Sequence, residues 1–222
     1  MSSPLKYFAA RVALPLLAKS KTYQPVYLGG ERIRSGGRES ELRWQHIEQI
    51  IRQDNITTIL DLGCAEGFFV RKAVEAGCFA TGADMDSDKL VWAQTTMTLD
   101  GLQGFGFYKQ ELTPHSLARL PASDMVINLS LVHHLMYAHG IGYARDFMTA
   151  ARALTNKVMI FEMGQSNEYH YDWAKKLPDM GDNPYPWIEQ FLHDCGFKRV
   201  QILCTVRSHK DAAERAVFAA HV

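Results

Sequence analysis

Short apolar segments alternate with amphipathic segments along most of this chain, and this order restricts the folds that it can adopt. Seven apolar or β-branched runs predict strands, at 58–62, 79–83, 105–109, 125–129, 158–161, 200–206 and 216–222. Helical periodicity precedes or separates most of them, at 39–53, 68–76, 87–94, 142–154 and 187–195. Because parallel neighbours need long crossovers, the order predicts an α/β fold with a doubly wound, mostly parallel seven-stranded sheet. The last two runs lack a helix between them and predict an antiparallel C-terminal hairpin.

The size and charge of the chain favour one domain without a general affinity for polyanions. Its 222 residues, 47% of them hydrophobic, are enough for one buried core, and 24 basic side chains balance 24 acidic ones. Within residues 1–53, however, nine basic side chains face only four acidic ones. We expect an irregular N-terminal arm or lid at 1–37 and a main domain at 38–222.

Cysteine usage and the N-terminal apolar run bear on localisation. The four cysteines form no CxxC pair, which argues against a zinc knuckle or a disulfide framework and favours a reducing, cytoplasmic compartment. The apolar run at 7–18 contains Arg11 and Pro15, and it is shorter than the roughly 20 residues that a bilayer span needs. It predicts a short helix packed on the domain, with peripheral contact to a membrane surface as the alternative.

The segment ILDLGCAEGFFV at 59–70 has the pattern of a strand, an open turn and the start of a helix. Gly63 and Gly67 allow a sharp turn against which a ligand can lie without an intervening Cβ. The pattern lacks the lysine of a phosphate-binding loop and the third glycine of a dinucleotide fingerprint. Asp61 and Glu66 add negative charge, which would repel a pyrophosphate and attract an ammonium or a sulfonium. The turn therefore favours a cationic ligand.

Polar residues also follow the next strands, at the edge where α/β sheets bind ligands. Asp84 ends the second strand about twenty residues after the turn, where a carboxylate can accept both hydroxyls of a ribose. A ribose together with a cationic amino acid indicates S-adenosylmethionine. After the third strand, Glu111 and Leu112 would meet the adenine amino group and ring, and residues 128–130 would pass beneath the methionine part.

The motifs LDLGCAEGFF, TGADMD, YKQEL and INLSLVHHL occur in the order and at the spacing of the class I S-adenosylmethionine-dependent methyltransferases, and residues 59–222 resemble that family. The resemblance implies a Rossmann-like methyltransferase domain whose last strand enters the sheet antiparallel. It also implies the residues that contact the cofactor: Asp61, Gly63, Cys64, Ala65, Gly67, Phe68, Asp84, Met85, Glu111, Leu112, Asn128 and Leu129. Ala65 stands where the family commonly has a glycine, so we expect a slightly stiffer turn.

A narrower likeness concerns the methyl acceptor. The cofactor motifs are most similar to the methyltransferase domain of the O-antigen chain-terminating methyltransferase-kinases, which methylate a phosphate at the end of a bacterial surface polysaccharide. This likeness implies an oxygen or phosphate acceptor, on a surface polysaccharide or a small-molecule precursor. The alternatives are an RNA-directed methyltransferase, suggested by the arginine-rich arm, and a non-catalytic S-adenosylmethionine-binding protein. A nicotinamide oxidoreductase is disfavoured by the missing glycine.

Two adjacent histidines are the candidate catalytic residues. Methyl transfer to a hydroxyl requires an aligned acceptor and removal of its proton. His133 and His134 follow the fourth strand, and imidazole titrates near neutral pH, so either could serve as the base. Adjacent side chains on a helix point in directions about 100° apart, so only one of the two can face the acceptor.

Candidate acceptor-binding residues come from the arm and from the long segment after the fifth strand. Arginines such as Arg34 and Arg43 could fold over the site and hold a phosphate or carboxylate, or could lie on a solvated helix face. The spacing of the nearby carboxylates and histidines matches no compact ligand pattern, so no metal is expected. The predicted acceptor-binding residues are Arg38, Glu162, Tyr169 and His170.

Overall fold

The computed structural model describes residues 4–17, 21–36, 39–207 and 213–222. Its helices are α1 (Pro4–Leu17), α2 (Ser40–Gln53), α3 (Phe68–Glu75), α4 (Ser87–Leu99), α5 (Pro114–Leu117), α6 (Val132–Ala153) and α7 (Tyr185–Asp194), with a 3-10 turn at Ala174–Lys176. Its strands are β1 (Val26–Leu28), β2 (Glu31–Arg34), β3 (Thr58–Leu62), β4 (Phe79–Asp84), β5 (Phe105–Lys109), β6 (Ser123–Leu129), β7 (Thr155–Glu162), β8 (Arg199–Arg207) and β9 (Glu214–His221).

Strands β3 to β9 form one sheet in the order β5-β4-β3-β6-β7-β9-β8. β3 pairs in parallel with β4 and β6, and parallel pairing continues outward to β5 and β7. β9 lies between β7 and β8 and is antiparallel to both. The prediction of a doubly wound, mostly parallel seven-stranded sheet with an antiparallel C-terminal hairpin is confirmed.

The sheet is buried on both faces, which explains the continuous apolar sequence of its central strands. In β7, Val158 and Ile160 belong to the core that contains residues of α2 and α3, whereas Met159 and Phe161 belong to the core beneath α6 and α7. Successive side chains of a strand point to opposite faces, so both cores draw on the central strands. The carboxyl ends of β3 to β7 therefore open at one edge, between two layers of helices.

The N-terminal segment is more regular than expected. The predicted short helix is confirmed as α1, but the prediction of an irregular arm after it is wrong, because β1 and β2 form an antiparallel hairpin that turns at Gly29 and Gly30. Leu14 of α1 and Leu28 of β1 share a small core with Trp92 of α4. Among the described residues, no helix is both long and apolar enough to span a bilayer. The division of the chain into 1–37 and 38–222 stays a prediction.

Two helices extend beyond their local sequence patterns. α4 continues to Leu99, past the predicted end at 94, because Met97 adds a further side chain to the core. α6 begins at Val132 rather than at 142, and its helical geometry is interrupted at Gly140, where φ is 84°. The periodicity of the sequence marks only the part of α6 that follows this break.

Candidate active site

The carboxyl ends of the central strands border a cleft that has Gly63 in its lining. We divide it into a large compartment of about 320 Å³ and a small compartment of about 190 Å³. The large compartment is lined by Gly63, Asp84, Met85, Gln110, Glu111, Leu112, Leu131, Leu135, His139 and Tyr143. The small compartment is lined by Tyr23, Gly63, Ala65, Asp84, Lys89, Leu129, Ser130, Leu131 and His134.

The glycine turn needs its two glycines for different reasons. Gly63 has a φ of 79°, and a Cβ at this position would meet only the Leu131 side chain, at 3.8 Å. Gly67 has a φ of 73°, but a Cβ there would lie 2.8 Å from the Cβ of Ala93, so this glycine allows α3 and α4 to pack closely. Ala65 also adopts a positive φ, 47°, which costs energy in a residue with a Cβ. Gly63 is thus the glycine that leaves space for a ligand.

Asp61 places a carboxyl oxygen without a partner at the base of the turn. Its side chain is buried, and its Oδ2 has no hydrogen-bond partner among the described residues. Burial, and secondly the charge of Asp84, raise the pKa of Asp61 to about 8. Buried carboxylates normally have partners, so this oxygen indicates that a ligand with a positive charge or a hydrogen-bond donor completes the site.

Asp84 joins the tip of β4 to the glycine turn. Its Oδ2 accepts the backbone N–H of Ala65 at 2.9 Å, and its Oδ1 accepts that of Asp86 at 2.9 Å. Each carboxylate oxygen has a second lone pair, so both can accept a further hydrogen bond. Asp84 lines both compartments, and its carboxylate is held in place before any ligand binds.

Glu66 faces the N-terminal segment rather than the cleft, which corrects the expectation that its charge attracts the ligand. Its carboxylate accepts the backbone N–H groups of Tyr23 and Gln24 at 2.8 and 2.9 Å. The Gln24 side chain in turn accepts the N–H of Phe68, at the first turn of α3, at 2.9 Å. Burial raises the pKa of Glu66, and the backbone hydrogen bonds offset part of that rise. These contacts place Tyr23 over the small compartment.

His133 and His134 lie in the first turn of α6 with their ring centres 4.1 Å apart, but they differ in exposure. His133 is buried; its Nδ1 accepts the backbone N–H of Gly164 at 3.0 Å, and its ring centre lies 4.5 Å from that of Trp173. His134 is exposed and lines the small compartment. Of the two, His134 is therefore the one that can face an acceptor. The catalytic role of either residue stays a prediction.

A buried ion network reaches the cleft through Ser130. Arg43 donates two hydrogen bonds to Glu162 Oε2, at 2.7 and 2.5 Å, while Arg215 donates to Glu162 Oε1 at 3.0 Å and to both oxygens of Glu168. The Ser130 hydroxyl donates to Glu162 at 2.9 Å, and the Ser130 backbone has a φ of 58°. Burial would raise the pKa of Glu162, but the two guanidinium groups outweigh it and lower that pKa to about 2.

This network changes what is expected of two residues. Arg43 is buried, so its predicted position on a lid or a solvated helix face is wrong. Glu162 is also fully buried, and its two oxygens are occupied by Arg43, Arg215 and Ser130. These contacts give Glu162 a role in fixing Ser130, and they do not support its predicted contact with an acceptor.

Most of the predicted cofactor contacts lie together. A small pocket bordered by Asp61, Gly63 and Ser130 adjoins the cleft. Eight of the predicted contacts line the cleft or this pocket: Asp61, Gly63, Ala65, Asp84, Met85, Glu111, Leu112 and Leu129. The other four are buried outside this lining: Cys64, Gly67, Phe68 and Asn128. Tyr169 and His170 are exposed and also outside it, and Arg38 lies outside the described residues. The binding roles of all these residues stay predictions.

Sequence reasoning missed lining residues from the N-terminal segment, from α4, from the loop after β5, and from α6 with its N-cap: Tyr23, Lys89, Gln110, Leu131, Leu135, His139 and Tyr143. Tyr23 and Lys89 line the small compartment, with the Lys89 ammonium 5.5 Å from the centre of the Tyr23 ring. The rule that ligands bind at the carboxyl ends of parallel strands does not point to Tyr23, because this residue precedes the strands of the main sheet. Lys89 lies in the first turn of the helix that follows β4. This position beside the carboxyl end of a strand could have been used to predict that Lys89 lines the cleft.

Some known proteins resemble this chain in sequence or in fold. No protein-family model matches the sequence. The chain is 27% identical over 144 residues to the O-antigen chain terminator bifunctional methyltransferase/kinase WbdD of Escherichia coli. That match covers 64% of this chain but only 19% of the length of the relative.

Solved structures share the fold over most of the chain. A structure of the bifunctional kinase-methyltransferase WbdD superposes with a TM-score of 0.77 at 21% identity, over 93% of this chain and 45% of that one. Magnesium protoporphyrin IX methyltransferase (ChlM) from Synechocystis PCC 6803, determined with bound SAM, superposes with a TM-score of 0.58 at 18% identity, over 82% of this chain and 80% of that one. These likenesses confirm the Rossmann-like methyltransferase fold.

Proposed function

We propose that this chain, a class I S-adenosylmethionine-dependent methyltransferase, transfers a methyl group to an oxygen or phosphate acceptor on a glycan or a small-molecule precursor. The lining of the small compartment carries this proposal, because Tyr23, Lys89, Ser130 and His134 gather there beside Gly63. A cation, an imidazole and hydroxyl-bearing side chains suit a hydroxylated or anionic acceptor. The name of the relative WbdD, an O-antigen chain terminator, supports the same class of acceptor.

The large compartment and the glycine turn fit S-adenosylmethionine. Asp61 would accept hydrogen bonds from the ammonium group of the methionine part, which would give its buried Oδ2 a partner. Asp84 would accept the ribose hydroxyls with the lone pairs that its backbone hydrogen bonds leave over. Glu111 and Leu112 would contact the adenine, and Gly63 would leave room for the ligand to pass.

The protein's part in the reaction is to align the acceptor and to move its proton. S-adenosylmethionine, when bound, supplies a methyl group activated by the sulfonium. His134 can take the proton of a hydroxyl acceptor at its exposed imidazole, and Lys89 can hold a neighbouring phosphate by its charge. Tyr23, held by Glu66 through its backbone N–H, closes the compartment on the side of the N-terminal segment and limits access of water.

Asp84→Ala is expected to weaken binding of S-adenosylmethionine by about 1.5–3 kcal/mol, the scale of hydrogen bonds to a charged group. The change removes the predicted ribose acceptor and also frees the N–H of Ala65 in the turn. Isothermal calorimetry measures the effect, with Asp146→Ala on the exposed side of α6 as the matched control. Equal affinities for wild type and Asp84→Ala would contradict the placement of the ribose at the tip of β4.

The two histidines are expected to respond differently to alanine. His134→Ala should lower the turnover of a hydroxyl acceptor by about 10²–10⁴-fold, the usual contribution of a general base, and leave cofactor affinity unchanged. His133→Ala should mainly lower the melting temperature, because it removes a buried ring from between Gly164 and Trp173. Single-turnover rates and thermal melts separate the two effects. Wild-type turnover in His134→Ala would exclude this residue as the base.

The acceptor class can be tested with labelled cofactor and fractionated cell extract. Label that enters glycans or small hydroxylated or phosphorylated molecules supports the proposal, whereas label only in RNA or protein contradicts it. Cofactor binding without transfer to any fraction would favour the non-catalytic alternative. For a phosphorylated acceptor, Lys89→Met should raise the KM by about tenfold or more and leave cofactor affinity unchanged. The RNA-directed alternative depended on exposed arginines, and the burial of Arg43 removes one of them.

A further inference from the structure

The outer face of α1 is apolar although it is exposed. Phe8, Ala9, Val12 and Ala13 share this face, and the exposed fractions of Phe8 and Val12 are 68% and 54%. Leu14 lies on the opposite face and packs against the protein. A helix at a protein surface ordinarily carries polar residues on the side away from its core. An apolar outer face therefore indicates a surface that contacts a partner.

Positive charge borders this apolar face. Arg11, Arg32 and Arg34 line a shallow pocket beside α1, together with Glu31 and with Trp92 of α4, so three cations face one carboxylate there. Arg11 and Arg32 each pair with one glutamate and keep about half of their side chains exposed. The guanidinium of Arg34 lies 5.4 Å from the centre of the Trp92 ring, and no carboxylate of the described residues pairs with it. Arginines at the border of an apolar strip fit a partner that is both apolar and negatively charged.

We propose that α1 docks this chain onto an anionic lipid surface. Phe8 and Val12 would enter the boundary between headgroups and acyl chains, while Arg34 and its neighbours would face lipid phosphates. A second copy of the chain fits this face less well, because an isologous contact would bring the same arginines together. The docking face lies outside the lining of the cleft, so the proposal goes beyond the methyl transfer proposed above and does not depend on the identity of the acceptor.

Vesicle sedimentation with the full chain tests this docking. Wild type should pellet with vesicles of phosphatidylglycerol and phosphatidylcholine, and should pellet far less with phosphatidylcholine alone or at high salt. The double variant Phe8→Ser/Val12→Ser should reduce the bound fraction by about tenfold or more, and Arg34→Gln should reduce it by about fivefold. Phe79→Ser is the matched control, because Phe79 is 70% exposed on β4. This variant should bind the vesicles as wild type does.

Three results would overturn the proposal. The first is no binding of wild type to the anionic vesicles, and the second is equal binding to neutral ones. The third is a concentration-dependent dimer, lost in Phe8→Ser/Val12→Ser, in a protein that does not bind vesicles; this result would assign the face to a second copy. Cofactor affinity and melting temperature should be the same for Phe8→Ser/Val12→Ser and wild type, so a failure of docking remains distinguishable from a failure of the proposed methyl transfer.

Discussion

Asp61→Asn should make the unliganded protein more stable at pH 7 and at the same time deprive it of most of its affinity for S-adenosylmethionine. The carboxyl group of Asp61 is buried and one oxygen lacks a partner, so burial raises its pKa to about 8. Asparagine has nearly the same shape and does not ionise, so the variant does not have to take up a proton when it folds. The ligand ammonium would lose a charge-assisted hydrogen bond, which corresponds to about 1.5–3 kcal/mol of affinity.

The pH dependence of this effect has a definite sign. The carboxyl group of an aspartate in the unfolded chain titrates near pH 3.9, whereas Asp61 in the folded chain titrates at about 8. Between these values the folded state holds a proton that the unfolded state has lost, so stability falls as pH rises, by up to about 1.4 kcal/mol per pH unit. Relative to wild type, Asp61→Asn should gain little at pH 4 and up to about 4 kcal/mol at pH 7.

Urea unfolding between pH 4 and 8, combined with calorimetry of cofactor binding, measures both halves of this prediction. Asp124→Asn is a control of opposite sign. Two hydrogen bonds from Thr57 outweigh the effect of burial and lower the pKa of Asp124, so this variant should lose about 1 kcal/mol of stability at neutral pH. Parallel stability profiles for wild type and Asp61→Asn would contradict the raised pKa. Unchanged affinity in Asp61→Asn would remove this residue from the cofactor site.

The residues at strand ends could be predicted from sequence because the signals for them are local. A run of β-branched and apolar residues marks β3. Asp61 lies near the end of this strand and Gly63 directly after it, so both could be predicted from the strand and the glycine turn. Asp84 follows from the end of the next apolar run in the same way. Parallel strands bring these positions to one edge without any knowledge of side-chain contacts. The same reasoning predicted a mostly parallel sheet but not the order of its strands. The alternation of residues within one strand does not determine which other strand it pairs with.

Contacts between distant segments could not be predicted in this way. Glu66 binds the backbone N–H of Tyr23, and a backbone donor has no sequence signature. Arg43 and Glu162 are 119 residues apart, yet the sequence around each of them weakly indicates that its side chain is buried. Arg43 lies four residues before Ile47, on the buried stripe of α2, and Glu162 ends the apolar strand β7. A buried charge needs an opposite partner, so one cation and one anion at buried positions could have been paired from sequence.

Arg215→Met should destabilise the protein by about 3–5 kcal/mol, the cost of leaving a buried charge without its partner. Arg215 donates to Glu162 and to both oxygens of Glu168, and all three side chains are buried. Its hydrogen bond to Ser130 would also be lost, so the loop that lines both the small compartment and the space beside Asp61 should become less ordered. Methyl transfer should therefore fall even below the unfolding temperature of the variant.

The pH profile separates the loss of this ion network from a general loss of packing. The pKa of Glu162 is lowered to about 2, so its ion pairs stabilise wild type fully above the unfolded value near 4.3, and this contribution is lost as pH falls toward 2. Arg215→Met keeps only the Arg43 half of that contribution, and the stabilities of variant and wild type should converge in acid. Arg199→Met, exposed on β8 of the same hairpin, should unfold as wild type. A stability gap that is constant down to pH 2 would assign the effect to packing instead of charge.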